Sequence, residues 1–138
     1  MIGLDTNILA RYYIQDAGDE EAQKQHVAAR RLIESGQPVM VCKTVLLELE
    51  WVMRGYYGFS AAEISAVLHH VLALPHVRVE DHDAVRQALA HYAAGLDLAD
   101  ALHHASDRNC DGMASFDDRK FARRVKHMGL APTVTVPS

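Results

Sequence analysis

The sequence predicts an α/β protein, a three-layer α/β/α sandwich around a mainly parallel central sheet, and two observations lead to this prediction. Short apolar runs recur along the chain, and helical stretches longer than a hairpin turn separate them. Strands joined in this way pair in parallel through right-handed crossovers. The four prolines fall at element boundaries and no repeat or low-complexity linker divides the chain. We therefore expect residues 1–138 to form one domain.

Local signals predict the elements in order, because helix-capping residue types precede most stretches with apolar residues at helical spacing. Ser60 and Glu63, for example, have the spacing of a capping box. The predicted elements of the first part of the chain are a strand over 1–4, a helix that follows Asp5, a helix from Asp19 to Gly36, a strand over 39–42, a helix over 44–54, a helix from Ser60 to Pro75 and a strand over 77–79. The remaining elements are a helix over 83–92, a helix from Asp97 through Ala105, a strand over 112–116, a basic helix over 117–128 and a strand over 133–136.

Composition limits the class of protein. The 138 residues are 49% hydrophobic, enough for an ordinary core, and the formal net charge of −4 argues against binding nucleic acid by charge alone. No apolar stretch approaches the roughly 20 residues that span a bilayer, and the first residues do not resemble a secretory signal. We expect a cytoplasmic protein with no membrane segment. Cys42 and Cys110 are too few for a disulfide framework and are expected to be buried free thiols.

Four acidic residues follow predicted strands. Asp5 comes at the end of the first predicted strand. Asp117 comes at the end of the strand predicted over 112–116, and Asp118 follows it. Glu48 lies early in the helix after the second strand, and Asp100 lies in the first turn of a later helix. In parallel sheets, ligands bind beyond the carboxyl ends of the strands. The sequence therefore predicts that these carboxylates converge on one edge of the sheet.

Such a constellation favours divalent-metal chemistry. Glu48 is flanked by leucines and Trp51, where a charge is costly to desolvate, and its sequence neighbourhood offers no cation to pair with it. Several carboxylates in one cleft raise one another's pKa values unless a divalent cation offsets their repulsion. Oxygen-only ligands suit Mg²⁺ or Mn²⁺, and these ions activate water and stabilise leaving oxygens at phosphates.

Four segments resemble, in order and spacing, the four acidic blocks of PIN-domain ribonucleases of the VapC toxin type. The resemblance extends over essentially the whole chain. The segments are Leu4-Asp5-Thr6-Asn7-Ile8-Leu9, Val45-Leu46-Leu47-Glu48-Leu49 with Trp51-Val52, Gly95-Leu96-Asp97-Leu98-Ala99-Asp100-Ala101-Leu102-His103, and Ser115-Phe116-Asp117-Asp118 with Phe121-Ala122.

This resemblance implies an endoribonuclease in which four carboxylates bind Mg²⁺ or Mn²⁺ and activate the attacking water. It further implies a homodimer, or a larger toxin–antitoxin complex, that a small cognate antitoxin protein holds inactive. The implied metal ligands and catalytic residues are Asp5, Glu48, Asp100 and Asp117. Supporting or phosphate-contacting roles are implied for Thr6, Asn7, Asp97, Ser115 and Asp118, and which carboxylate of the Asp117–Asp118 doublet reaches the metal stays open.

Each acid also has a purely structural interpretation. Asp5 and Asp97 have the positions of helix caps, and for Asp97 the cap and the site are equally good explanations. Asp117 and Asp118 could favour the dipole of the following helix. Asp100 could pair with a histidine one turn away, and Glu48 could pair with a distant arginine such as Arg11. These explanations do not account for all four acids lying on the same side of the sheet.

Two other patterns each leave more than one interpretation open. The basic residues of the last helix predict either a solvated face or a track for an RNA backbone; they are Arg119, Lys120, Arg123, Arg124 and Lys126. The aromatic residues near the first and third helices are compatible with three positions, namely in the core, in a base-stacking platform or in a partner surface. These residues are Tyr12, Tyr13, Trp51, Tyr56 and Tyr57. The nine histidines lack zinc-site spacing and are expected at the surface or in helix packing.

Two other functions fit the sequence less well. A haloacid-dehalogenase-like phosphatase needs a second aspartate two residues after the first, and Asn7 stands at that position. A receiver-like domain needs a lysine after its last strand, which this chain lacks. A non-catalytic PIN module that binds RNA or protein is expected to have lost acids, whereas all four are present. The sequence therefore predicts a metal-dependent endoribonuclease.

Overall fold

The structure of the protein, a computed structural model, describes residues 1–138, and its contacts divide the chain into two units. The first unit contains residues Met1–His82 and the second contains Asp83–Ser138. Every strand pairing is parallel, as the α/β class requires. No helix is both long enough and apolar enough to cross a lipid bilayer.

The first unit is built on a three-stranded parallel sheet with the order β1-β2-β3. Val39 of the middle strand pairs with Ile2 on one side and with Val77 on the other. The elements of this unit are β1 (Ile2–Gly3), α1 (Thr6–Tyr13), α2 (Glu20–Ile33), β2 (Val39–Val41), α3 (Lys43–Gly55), α4 (Ala61–Ala73) and β3 (Val77–Val79).

Side-chain caps begin three of these helices, as the sequence predicts. The Asp5 carboxylate accepts a hydrogen bond from the Thr6 amide at 2.7 Å, and Asp19 caps α2 in a similar way. At α4, the Ser60 hydroxyl accepts from the Glu63 amide at 3.2 Å while the Glu63 carboxylate accepts from the Ser60 amide at 3.0 Å. The capping box is therefore confirmed, and each cap satisfies a backbone donor that the helix leaves unpaired.

Helix α3 buries one face, although apolar residues occur on nearly all sides of it. Its buried residues recur at helical spacing and are Leu46, Leu49, Glu50 and Met53. Trp51 lies off this face and is 64% exposed. Such an apolar run has no visible periodicity, so the sequence alone does not show which side meets the core.

The second unit contains helices and a two-stranded parallel sheet. Its elements are α5 (His82–Ala93), α6 (Leu98–Ser106), β4 (Met113–Ala114), a π-helical segment (Asp118–Ala122), α7 (Arg123–Met128) and β5 (Val134–Thr135). Asp97 caps α6, accepting a hydrogen bond from the Asp100 amide at 3.2 Å. The last helix was expected to be regular over 117–128, but its first turn is wider because the Ala122 amide donates to the Asp117 carbonyl.

The core of the second unit contains a histidine. His104 is fully buried, and its Nε2 lies 2.8 Å from the Pro132 carbonyl oxygen, so Nε2 carries the proton and donates. Its ring meets the Phe121 ring edge-on at 6.3 Å and the His91 ring at 6.1 Å. His104 therefore packs between elements, which is one of the two roles expected of the histidines.

The two cysteines do not form a disulfide, as predicted, but they are not buried. Cys42 is half-buried beside the Thr44 hydroxyl, and Cys110 is exposed. Their burial was inferred from residue type alone. Cys42 lies directly before α3, and Cys110 lies in the loop between α6 and β4.

Candidate active site

Two of the four expected site residues line one cavity in the first unit. Asp5 follows β1 and caps α1, while Glu48 lies on α3, the helix that follows β2. Since β1 and β2 are parallel neighbours, both residues come after the carboxyl ends of adjacent strands. They face a cavity of about 590 Å³. This part of the site is therefore where the strand order predicts it.

The cavity also contains both residues predicted to support this pair. Asn7 is exposed, whereas Thr6 is only 6% exposed and its hydroxyl has no hydrogen-bond partner. A buried hydroxyl without a partner is uncommon in proteins and is satisfied when a ligand supplies one. The other lining residues are Ala10, Arg11, Gln25, Trp51, Val52, Tyr56 and Tyr57.

Glu48 is exposed, so the argument that its burial demands a cation was wrong. The buried acid of α3 is Glu50, which is 3% exposed and accepts from the Arg54 guanidinium at 2.9 Å. Nor does Glu48 pair with Arg11, whose Nε instead donates to the Gln25 side chain at 2.8 Å. Glu48 is therefore a carboxylate held beside a cavity without an ion-pair partner.

The other two site residues lie in the second unit among further acids. Asp100 lies in the first turn of α6. Burial raises its pKa, and the negative charges of Asp97 and Asp117 raise it further. His103 and Arg124 act in the opposite direction. Because a bound cation would stabilise the ionised form of Asp100, the electrostatics here fit the divalent ion that the sequence predicts.

Hydrogen bonds to the backbone hold the remaining expected residues. The Ser115 hydroxyl accepts from the Asp117 amide at 3.0 Å, and the Asp117 carboxylate accepts from the Lys120 amide at 3.0 Å. Asp97 caps α6, so its structural role is present, and Asp118 is exposed at the start of the π-helical segment. Ser115 and Asp100 also line a second cavity of about 340 Å³.

The basic residues of the last helical segments are all exposed and form no ion pair within the protein. They are Arg119, Lys120, Arg123, Arg124 and Lys126. Their charges are therefore available to solvent or to an external anion. The two interpretations that the sequence leaves open, a solvated face and a track for RNA, both fit this observation.

The aromatic residues and the arginine that line the first cavity were not predicted to belong to the site. Asn7 and Arg11 lie four residues apart on α1, and Glu48, Trp51 and Val52 have the i, i+3, i+4 spacing of one helical face. That spacing was the available signal. Of the interpretations that the sequence leaves open for Trp51 and Tyr56, a position in the core is wrong, because they are 64% and 81% exposed.

A protein-family model described as PIN domain matches residues 2–126 of this chain. The chain belongs to the PIN-domain family, and this membership confirms the predicted α/β fold class. Among curated proteins, no significant match to the chain is found. PIN domains are generally nucleases that use divalent metal ions, so family membership supports this class of enzyme.

The donor set fits a hard divalent cation, although no three His, Cys, Asp or Glu side chains form a group arranged to hold a metal ion. The candidate ligands supply only carboxylate oxygens, which Mg²⁺ and Mn²⁺ prefer. Mg²⁺ commonly keeps several water ligands and needs only one or two carboxylates from the protein. The chemistry of the residues is therefore compatible with such an ion.

Proposed function

We propose that this protein is an endoribonuclease that depends on Mg²⁺ or Mn²⁺ and hydrolyses RNA phosphodiester bonds. The observation that carries the proposal is that Asp5 and Glu48 line one cavity and follow two adjacent parallel strands, in a chain of the PIN-domain family. In parallel sheets this edge is where ligands bind.

The proposed ligands of the ion are Asp5, Glu48, Asp100 and Asp117. When bound, the ion supplies a polarised water and stabilises the leaving oxygen of the phosphodiester. The protein's own residues position these groups. The Asp5 carboxylate is held by the Thr6 amide, and the Asp117 carboxylate is held by the Lys120 amide. Each retains oxygen lone pairs for a metal or for water.

Polar neighbours of the carboxylates are proposed to contact the substrate phosphate. Asn7 is exposed in the cavity, and Thr6 lines it too, with a buried hydroxyl that has no partner. Ser115 accepts the Asp117 amide and so fixes the start of the last helical segment. The five exposed basic residues of that segment are proposed to follow the RNA backbone, because phosphate contacts dominate nucleic-acid affinity.

We further propose that the nuclease is the toxin of a toxin–antitoxin pair and acts in the cytoplasm. The resemblance of its four acidic blocks to VapC-type toxins supports this role. The expected partners are a small antitoxin protein and a second copy of the chain, which together form a toxin–antitoxin complex.

A cleavage assay tests the nuclease. Purified protein is incubated with structured RNA and Mg²⁺ or Mn²⁺, and cleavage is expected that EDTA abolishes. Asp5→Asn, which removes a charge and keeps the shape and capping oxygen of the side chain, is expected to fold normally and lose cleavage. Undiminished cleavage by folded Asp5→Asn protein would contradict the assignment.

Expression in a bacterial host tests the toxin role separately. The wild-type chain is expected to arrest growth, Asp5→Asn is expected not to, and co-expression of a small protein encoded beside the toxin is expected to restore growth. If cells grow normally while the purified protein cleaves RNA, the nuclease assignment stands and the toxin role is wrong.

A further inference from the structure

The cavity beside Asp5 and Glu48 has an aromatic wall formed by Trp51, Tyr56 and Tyr57. Two of these side chains remain largely in solvent, since Trp51 is 64% exposed and Tyr56 is 81% exposed. Apolar ring surface normally gains stability by burial. Aromatic side chains held at the mouth of a polar cavity are therefore available to bind a flat ligand.

The tyrosine rings support one another. The rings of Tyr56 and Tyr57 meet edge-on, with centroids 4.8 Å apart and planes at 71°. Tyr57 also lies against Phe59 at 6.2 Å. Tyr57 is half-buried and packed from two sides, which leaves Tyr56 with a supported ring and an open face.

The guanidinium of Arg11 also lines this cavity, and a single side-chain hydrogen bond holds it in place. Arg11 Nε donates to Gln25 Oε1 at 2.8 Å, and Gln25 Nε2 in turn donates to Glu21 Oε1 at 3.4 Å. The two terminal nitrogens of Arg11 make no hydrogen bond or ion pair. A guanidinium fixed through Nε, with its terminal N–H groups free, suits an anionic oxygen such as that of a phosphate.

We propose that these groups form a subsite for one unpaired nucleotide of the RNA, next to the bond that is cut. The base stacks on Trp51 and Tyr56, and a flanking phosphate binds the terminal nitrogens of Arg11. Asn7, which is exposed in the same cavity, offers a polar side chain to the ligand. This inference rests on the proposed ribonuclease function and specifies its substrate as RNA with an unstacked residue at the cleavage position.

The mixed character of the walls favours a nucleotide over an apolar peptide. Stacking faces, a guanidinium and the exposed amide of Asn7 lie in one cavity, and a nucleotide presents a flat ring, an anion and hydrogen-bonding groups in one ligand. Bases in double-stranded RNA are stacked on each other and do not reach such a wall. The subsite therefore discriminates single-stranded from duplex RNA.

Trp51 is the sole tryptophan, so its fluorescence reports on the subsite without any mutation. Full-length protein in EDTA, which suppresses cleavage, is titrated with a short single-stranded oligoribonucleotide and with the same sequence as a duplex. Saturable quenching by the single strand and little quenching by the duplex are expected. Equal quenching by both would overturn the proposal.

Three variants test which side chains of the subsite contribute to binding of single-stranded RNA. Tyr56→Ala is expected to weaken single-strand binding about tenfold, as loss of one stacking partner does, while Tyr56→Phe is expected to bind as the wild type does. Arg11→Gln is expected to weaken binding and to reduce the slope of affinity against salt by about 0.7, the value for one phosphate contact on a single strand. Tyr12→Leu is the matched control, because Tyr12 is an aromatic residue of α1 that does not line the cavity.

The outcomes separate this subsite from the nuclease itself. Wild-type affinity in folded Tyr56→Ala, together with metal-dependent cleavage by the parent protein, overturns the subsite and leaves the nuclease intact. Selective quenching by single strands without any cleavage supports the subsite and rejects the nuclease. If the cognate antitoxin quenches Trp51 while single-stranded RNA does not, the wall is a protein-binding surface and the proposal is wrong.

Discussion

The two pairs of candidate carboxylates have different surroundings. Asp5 and Glu48 lie beside a cavity with aromatic walls and an arginine. Asp100 lies instead near other acids, and burial and the charges of Asp97 and Asp117 raise its pKa. The first region thus offers contacts to an organic substrate, and the second has negative charge that a cation would neutralise. We therefore expect substrate selection to depend more on the first region and metal binding to depend more on the second.

Removing one acid from each region gives the largest expected effect. Asp5→Asn and Asp100→Asn are each expected to reduce single-turnover RNA cleavage by more than about 100-fold, because loss of groups that merely orient metal ligands already costs 10–100-fold. Asp111→Asn, at an exposed acid outside both cavities, is the control. Full activity in either site variant would show that the region containing that acid is dispensable for cleavage.

Charge removal on the basic segment tests whether the second region also binds RNA. Lys120→Gln combined with Arg123→Gln is expected to weaken RNA binding several-fold at low salt and to lower the salt slope by about 1.4, since each single-strand phosphate contact contributes about 0.7. The control is Arg31→Gln combined with Arg86→Gln, two exposed arginines with the same change of charge. Equal loss in both double variants would indicate a net-charge effect rather than a track.

The acidic neighbours of Asp100 in the second region predict that removing one of them changes the pH dependence of cleavage. Burial is the largest cause of the raised pKa of Asp100, and the charge of Asp97 is the next. Asp97→Asn removes that charge and keeps a capping oxygen for α6. The pKa of Asp100 is therefore expected to fall, and the acid limb of the cleavage profile is expected to move to lower pH. Carboxyl NMR titration of the metal-free protein checks the first expectation.

The sign of the linked stability effect follows from the raised pKa. An aspartate whose pKa is higher in the folded than in the unfolded protein contributes stability at low pH, and this contribution is lost as the pH rises through the folded value. Asp100→Asn is expected to remove that loss, so the melting temperature of the variant minus that of the wild type should increase as the pH rises through the pKa of Asp100. A difference that is constant or decreases with pH would contradict the raised pKa.

The smallest expected effect separates two glutamates of one helix. Glu50→Gln is expected to lower the free energy of unfolding by only about 1 kcal/mol, because its partner Arg54 is more than half exposed, and to leave cleavage unchanged. Glu48→Gln is expected to leave the free energy of unfolding unchanged and to abolish cleavage. Urea unfolding and cleavage rates measured on both variants show whether the two acids have these separate roles.

Much of the fold was predictable because it depends on local signals. Asp5, Asp19, Ser60 and Asp97 cap helices where the sequence indicates, and the alternation of strands with helices indicates parallel pairing. The widened turn after Asp117 was not predictable, since its basic sequence is equally compatible with a regular helix. Which acid of α3 is buried also escaped prediction, because Glu48 and Glu50 have similar apolar neighbours in the sequence.

The sequence by itself determined the order of the elements, the caps and the positions of acids after the strands, because each depends on residues close together in the chain. Which face of α3 is buried depended on tertiary packing, since that face is selected by contacts with other helices, including α1 and α4. That choice buries Glu50, exposes Trp51 and places Glu48 beside the cavity. The aromatic wall beside the carboxylates is thus a product of packing that no local pattern specifies.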